Sequence, residues 1–89
     1  MHAVLVRVTI NDVEAATQHL HENVVPRVSQ APGLVAAYWV RLPDGDQGRS
    51  MLIFESEDSA RQAAEQIPPP PENAANIDSI DVVEVVASA

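Results

Sequence analysis

The chain has no cysteine and no lysine, and only three glycines, one tryptophan, one tyrosine and one phenylalanine among its 89 residues. Without cysteine there can be no disulfide, thiolate metal site, iron–sulfur cluster or cysteine nucleophile. Five arginines face thirteen acidic residues, for a net charge of −8. That balance offers no basic stripe for phosphates, so nucleic acid is excluded as a partner and an anionic membrane surface is disfavoured. Three glycines, all in turn contexts, leave no phosphate-cradling loop, and no His-Glu-x-x-His pair or nucleophile elbow occurs. No metal and no cofactor are therefore expected. The longest apolar run, Leu34–Val40, is far too short to cross a bilayer. Arg7 interrupts the first apolar stretch before it could act as a signal sequence, so a cytoplasmic protein is expected.

What is present is a large aliphatic content: 46% of residues are apolar, nearly all of them Val, Ala, Ile and Leu. A chain of this length makes a single domain, residues 1–89. It buries only about 60–65% of its unfolded surface, so burial against a second copy is an obvious source of stability.

Hydrophobic periodicity orders the elements. A strand over Ala3–Ile10 alternates Val4, Val6, Val8 and Ile10 on one face with Ala3, Leu5, Arg7 and Thr9 on the other. Asn11 reads as a helix cap with Glu14 as its capping-box partner, opening a helix over Asn11–Ala31. Its core stripe is Val13, Ala16, Leu20, Val24 and Val28, with a kink or break expected at Pro26. A hairpin follows, Leu34–Leu42 and Arg49–Glu55, around turn residues 43–48. In its first strand Leu34, Ala36, Tyr38 and Val40 oppose Val35, Ala37, Trp39 and Arg41. Ser56 caps a second helix reaching Ile67, whose stripe is Ala60, Ala63, Ala64 and Ile67. Pro68–Pro71 is a stiff extended connector on the surface, and Ile80–Ala87 is the last strand. The order β-α-β-β-α-β predicts an α+β, ferredoxin-like domain: a four-stranded antiparallel sheet with both helices on one face.

The segments Val25-Pro26, Ala31-Pro32-Gly33-Leu34 and Ile53-Phe54-Glu55-Ser56-Glu57-Asp58-Ser59-Ala60 resemble the antibiotic-biosynthesis-monooxygenase-like family over essentially the whole chain. The resemblance implies a dimeric α+β barrel, a homodimer closed by face-to-face packing of two sheets, with a pocket between sheet and helices in each subunit. The family's haem-degrading branch uses an Asn on the first strand and a Trp and a His on the second helical region. Here Val6 takes the strand position and the second helix has neither residue, so haem degradation does not carry over. The branch that oxidises quinols and polyketides needs no metal or flavin, because an electron-rich substrate anion reacts with oxygen itself. The resemblance thus implies a cofactor-independent monooxygenase-like enzyme acting on a small aromatic or apolar metabolite. The lack of a recognisable acid/base pair leaves an alternative: a non-catalytic small-molecule-binding or assembly module of the same fold.

Candidate ligand-binding residues are Trp39, Tyr38, Arg41 and Phe54. Trp39 could stack on a flat ligand, or simply fill core or interface. Tyr38 points away from Trp39 on an extended strand, so the two share a pocket only if the strand bulges. Arg7, mid-strand among valines, needs carboxylates. The pleat suggests Glu55 and Glu84, a charged cluster fixing the register of a dimer. His19 and His21, two apart on a helix, cannot share a metal and are expected to face solvent, although a pair of His19 with Glu22 or Asn23 is geometrically possible. No catalytic residue is assigned by the sequence.

Overall fold

The computed structural model describes residues 1–89. Strand β1 (His2–Ile10) leads into helix α1 (Val13–His19), a π-helical turn (Leu20–Val24) and the short helix α2 (Val25–Val28). Strands β2 (Leu34–Arg41) and β3 (Gln47–Phe54), helix α3 (Glu57–Glu65) and strand β4 (Ala75–Glu84) complete the chain. The strands form one antiparallel sheet in the order β2-β3-β1-β4. The fold is the ferredoxin-like α+β arrangement that the element order predicts.

Asp12, rather than Asn11, caps α1: its Oδ1 accepts the Ala15 N–H at 3.1 Å. Asn11 is diverted elsewhere, donating from its side chain to the Glu72 carbonyl at 2.9 Å. The interruption expected at Pro26 takes a specific form. Pro26 has no N–H, and one residue before it the Val25 N–H bonds back to Leu20 O, five residues away. The extra residue widens the turn and carries the chain past proline without ending the helical layer. Ser56 caps α3 as expected, accepting from Ser59 N at 3.2 Å. In the first turn of that helix Arg61 holds the Glu57 carboxyl below its ordinary range, mainly through a side-chain hydrogen bond.

Two bulges adjust the sheet. In β2 Leu34 pairs with Phe54 but Ala36 with Ile53, so Val35 is the unpaired extra residue and lies exposed. Leu34 therefore joins Ala37 and Trp39 on the helix-covered face, not Ala36 and Tyr38 as strict alternation predicts. In β4 the register shifts opposite Arg7 and Val8, leaving Asp78 as the extra residue. Thr9 Oγ1 holds Asp78 by donating to its Oδ2 at 2.6 Å. Strand β4 begins five residues earlier than the apolar pattern of Ile80–Ala87 indicates, because Ala75 and Ile77 pair with β1 despite the intervening polar residues.

The core gathers Val4, Val6, Leu52 and Phe54 from the sheet, Val24 and Val28 from the helical hairpin, and Ala60 from α3. Ala60 is fully buried, and its small side chain lets α3 approach β1, β3 and β4 closely. The opposite sheet face has no helix. Leu5, Ile53 and Val83 lie there with Tyr38, Val40 and Met51, which are 60%, 55% and 45% exposed.

Gly33, in the turn before β2, lies against Ser59 in the first turn of α3. Its φ is +79°, and an added Cβ would lie 2.7 Å from Ser59 Oγ. Gly45 shares the positive φ, at +84°, but has open space around it. Gly45→Ala should therefore cost only the backbone penalty, about 1–2 kcal/mol, and Gly33→Ala more, since Ser59 must also move. Urea unfolding of the two variants checks this; equal losses would mean that the contact with Ser59 is relieved without cost.

Candidate ligand cavity

The helix-facing side of β3 runs Gly48, Ser50, Leu52, Phe54. Two large side chains fill one end of this row, and a hydroxymethyl group and a bare hydrogen leave the other end thin. Val6 and Val8 of β1 and Trp39 of β2 flank the thin end. Above it stand α1 and the π turn, whose close backbone neighbours are one another and α2 rather than the strands. The result is a cavity of about 510 Å³ between sheet and first helical layer, mostly apolar in its walls. Its volume is within the range of pockets that take small molecules.

Trp39 and Arg41, adjacent inward positions of β2, both line this cavity. Tyr38 does not. It pairs with Met51 on the open face, as the pleat requires. Phe54 is fully buried in the core and contributes no wall. Of the four candidate ligand residues, the structure therefore brings two together and places two elsewhere.

The proposed cluster of Arg7, Glu55 and Glu84 does not assemble within the chain. Arg7 stands opposite Arg49 on β3 and Ser79 on β4, whereas Glu84 pairs with His2. Five strand residues separate the two positions, roughly 17 Å. Glu84 also shares the inward parity of Val82, and Glu55 lies just beyond the end of β3. The mismatch arises because β4 begins earlier than its apolar pattern suggests, which moves Glu84 to the far end of β1.

Several lining residues carry no obvious signal in the sequence. Pro68 and Pro70 reach the cavity, so the proline tetrad is part of its wall as well as a connector. Pro71 O then accepts from Ala74 N and Ala75 N at 2.9 and 3.1 Å, turning the chain into β4. His19, expected to face solvent, also lines the cavity, and its Nε2 is buried without a hydrogen-bond partner. Its other ring nitrogen lies 3.2 Å from Asn23 Nδ2. A buried polar atom left unpaired costs about 1–3 kcal/mol, which makes this nitrogen conspicuous. The inward Gly48 and Ser50 were the one clue to a thin floor.

The charges around the cavity are one-sided. Arg41, His19 and His21 contribute to its lining, as does Arg49 although its strand position faces the open side of the sheet, and no Asp or Glu does, in a chain of net charge −8. The Arg49 guanidinium is tied back to Gly48 O and Gln47 Oε1, each at 2.9 Å. Arg41 makes no ion pair within the chain. An apolar chamber with cationic and imidazole groups on its walls suits a hydrophobic molecule that carries, or develops, negative charge on oxygen. No group of His and carboxylate side chains is placed to hold a metal ion, and no helix is long and apolar enough to cross a membrane.

No family model and no curated protein matches the chain. Among solved structures it is similar to a mutant of SnoaB, a cofactor-independent oxygenase from Streptomyces nogalater. The TM-score is 0.73 at 13% identity, over 98% of this chain and 94% of that one. At that identity the likeness is one of fold.

The cavity's floor can be tested directly. A Cβ on Gly48 would meet Ile10 Cδ1 at 3.4 Å and Val40 O at 3.5 Å, and its φ is unremarkable. Gly48→Val should therefore fold while filling the chamber. Binding of an apolar fluorophore such as anilinonaphthalene sulfonate should fall about fivefold or more, roughly 1 kcal/mol. Undiminished binding by the folded variant would place the fluorophore elsewhere.

Proposed function

We propose that this protein binds a small, flat, apolar molecule with an acidic or electron-rich oxygen between its sheet and first helical layer, and oxidises it with dioxygen, without a cofactor. The observation that carries this reading is the one-sided cavity: apolar walls, Trp39 as a stacking surface, Arg41 and imidazoles as the polar elements, and no carboxylate. Such a site favours the anion of a phenol or an enolisable ketone over its neutral form, which is the difference that matters for reaction. The anion gives up an electron to dioxygen far more readily than the neutral molecule does. For an anthrone-like substrate the ring methylene becomes a carbonyl holding one oxygen atom, and its two hydrogens leave with the other oxygen as water. The fold shared with a cofactor-independent oxygenase supports the reading.

A second reading is a non-catalytic binding or assembly module using the same cavity. It is favoured by the lack of any carboxylate to pair with an imidazole there. Oxygen uptake separates the two. The expected result is consumption of dioxygen with one or more quinols or anthrones, reduced by Trp39→Ala and Arg41→Gln. Binding of those compounds with no uptake across the panel would overturn the enzyme and leave the module.

The same proposal includes a second copy of the chain on the open sheet face. Leu5, Met51, Ile53, Tyr38 and Val40 give that face an apolar centre that a second copy would cover. Arg7 and Arg49 sit directly opposite each other there without an acidic partner in the chain. Asp81, opposite Leu5 on the same face, offers the complementary charge to a facing copy. Arg7→Met should accordingly change the oligomeric state or the stability of the assembly by light scattering and thermal melting. A variant that remained a dimer of undiminished stability would remove Arg7 from the interface.

A further inference from the structure

The cavity grades from a buried end to an exposed one. Val6, Val24, Val28 and Leu52 are buried and make its inner end wholly apolar. Arg41, the last residue of β2, also lines it but is exposed, and so stands at its outer rim. Across the ladder on β3 its partner is Gly48, which has no side chain to pair with it or cover it. No Asp or Glu lines the cavity, and Arg41 makes no ion pair within the chain. Trp39, the next inward position of β2, is half-buried and lies opposite Ser50. A flat apolar surface and an unpaired guanidinium thus follow one another along one strand, their Cα atoms roughly 7 Å apart.

Other polar groups of the molecule do not meet these conditions. Arg49 is tied to Gly48 O and Gln47 Oε1, and its strand position, like that of Arg7, faces the open side of the sheet. The unpaired Nε2 of His19 and Oγ of Ser79 are buried and have no surface to offer a ligand. The second cavity, between α2 and α3, sets Arg27 among Gln30, Gln62 and Gln66 but has no aromatic wall.

We infer that Arg41 anchors a carboxylate carried by the cavity's ligand, with the ligand's apolar body running inward over Trp39. The ligand class is narrowed accordingly to a flat aromatic acid, its carboxylate roughly 7 Å from the ring that stacks on Trp39. A guanidinium meets a carboxylate through two parallel N–H donors, a match that a single phenolate oxygen does not provide. The position also suits a permanent charge. At the exposed rim a carboxylate keeps part of its hydration, whereas among Val6 and Leu52 it would lose all of it. Arg41 therefore holds a group that does not react, and the oxygen that gains charge in the proposed oxidation is a different one. The inference rests on the reading of this cavity as a ligand site and names the contact that selects and orients the ligand.

The test uses the intact chain with 2-naphthoate and 2-naphthamide, which share a shape and differ in charge at neutral pH. Affinity is measured by equilibrium dialysis, occupancy by the fluorescence of Trp39, the one tryptophan, and the Arg41 side-chain nitrogens are followed by 15N NMR. Naphthoate should bind about tenfold more tightly than naphthamide, a difference of roughly 1.4 kcal/mol, and lose part of that advantage as salt is raised. Both compounds should perturb Trp39, and only naphthoate should shift the Arg41 Nε resonance. Arg41→Gln should abolish the preference while leaving naphthamide affinity within about twofold. Arg41→Lys, which keeps the charge without the fork, should restore part of it. Equal affinities in the unaltered protein, a preference that survived in Arg41→Gln, or an Arg41 resonance unmoved at saturating naphthoate would overturn the assignment while leaving the cavity a binding site. Failure of both compounds to bind would overturn the cavity reading and this inference with it. The NMR arm needs no variant, so a misfolded substitution does not remove the test.

Discussion

The structure depends on how little side-chain volume the helical layer and the sheet floor have between them. Close packing of protein interiors normally leaves no gap much larger than a water molecule. Here the condition is met at one end only. Around Phe54, Leu52 and Val4, the alanine face of α3 and the valines of the hairpin close on the strands. At the other end the floor is Gly48 and Ser50, and the layer above is carried outward by a widened turn. The cavity is the difference between the two ends.

That arrangement links a backbone constraint to a chemical one. Pro26 removes a helical hydrogen bond, and the π turn just ahead of it takes up the interruption. Leu20 begins that turn and His19 directly precedes it, and both residues at the junction line the cavity. π turns inside helices are often found at functional sites, because the extra residue re-aims side chains that regular helical geometry would hold elsewhere. The proline segment after α3 closes the chamber from another side, with Pro68 and Pro70 as wall and Pro71 anchoring the entry to β4. Rigid residues suit this role because holding them in place forfeits little conformational freedom.

Charge follows the same division of the molecule. Acidic residues dominate the chain as a whole, yet those bordering the cavity are arginine and histidine. The sheet's other face repeats the theme in a different setting, with two arginines opposite one another amid apolar side chains. Both faces of one small sheet thus carry positive groups beside apolar side chains, Arg41 on one and Arg7 with Arg49 on the other. The negative group they meet is proposed to be a ligand's oxygen on one face and a second copy's carboxylate on the other.

The sequence by itself determined the order of elements, the ferredoxin-like topology, the cap at Ser56, the interruption near Pro26 and the opposite orientations of Trp39 and Tyr38. Each follows from local rules: alternation along strands, helical spacing of apolar residues, and the missing N–H of proline. Only the tertiary structure decided which inward residues face a cavity and which face the core, separating Trp39 and Arg41 from Phe54. It also placed the bulges at Val35 and Asp78, moved Glu84 away from Arg7, and brought His19 and the prolines to one chamber. Those outcomes depend on strand register and on the distance between layers, which are set by contacts between segments far apart in the chain. A repeating pattern within one segment records which side a residue takes, but not what stands across from it.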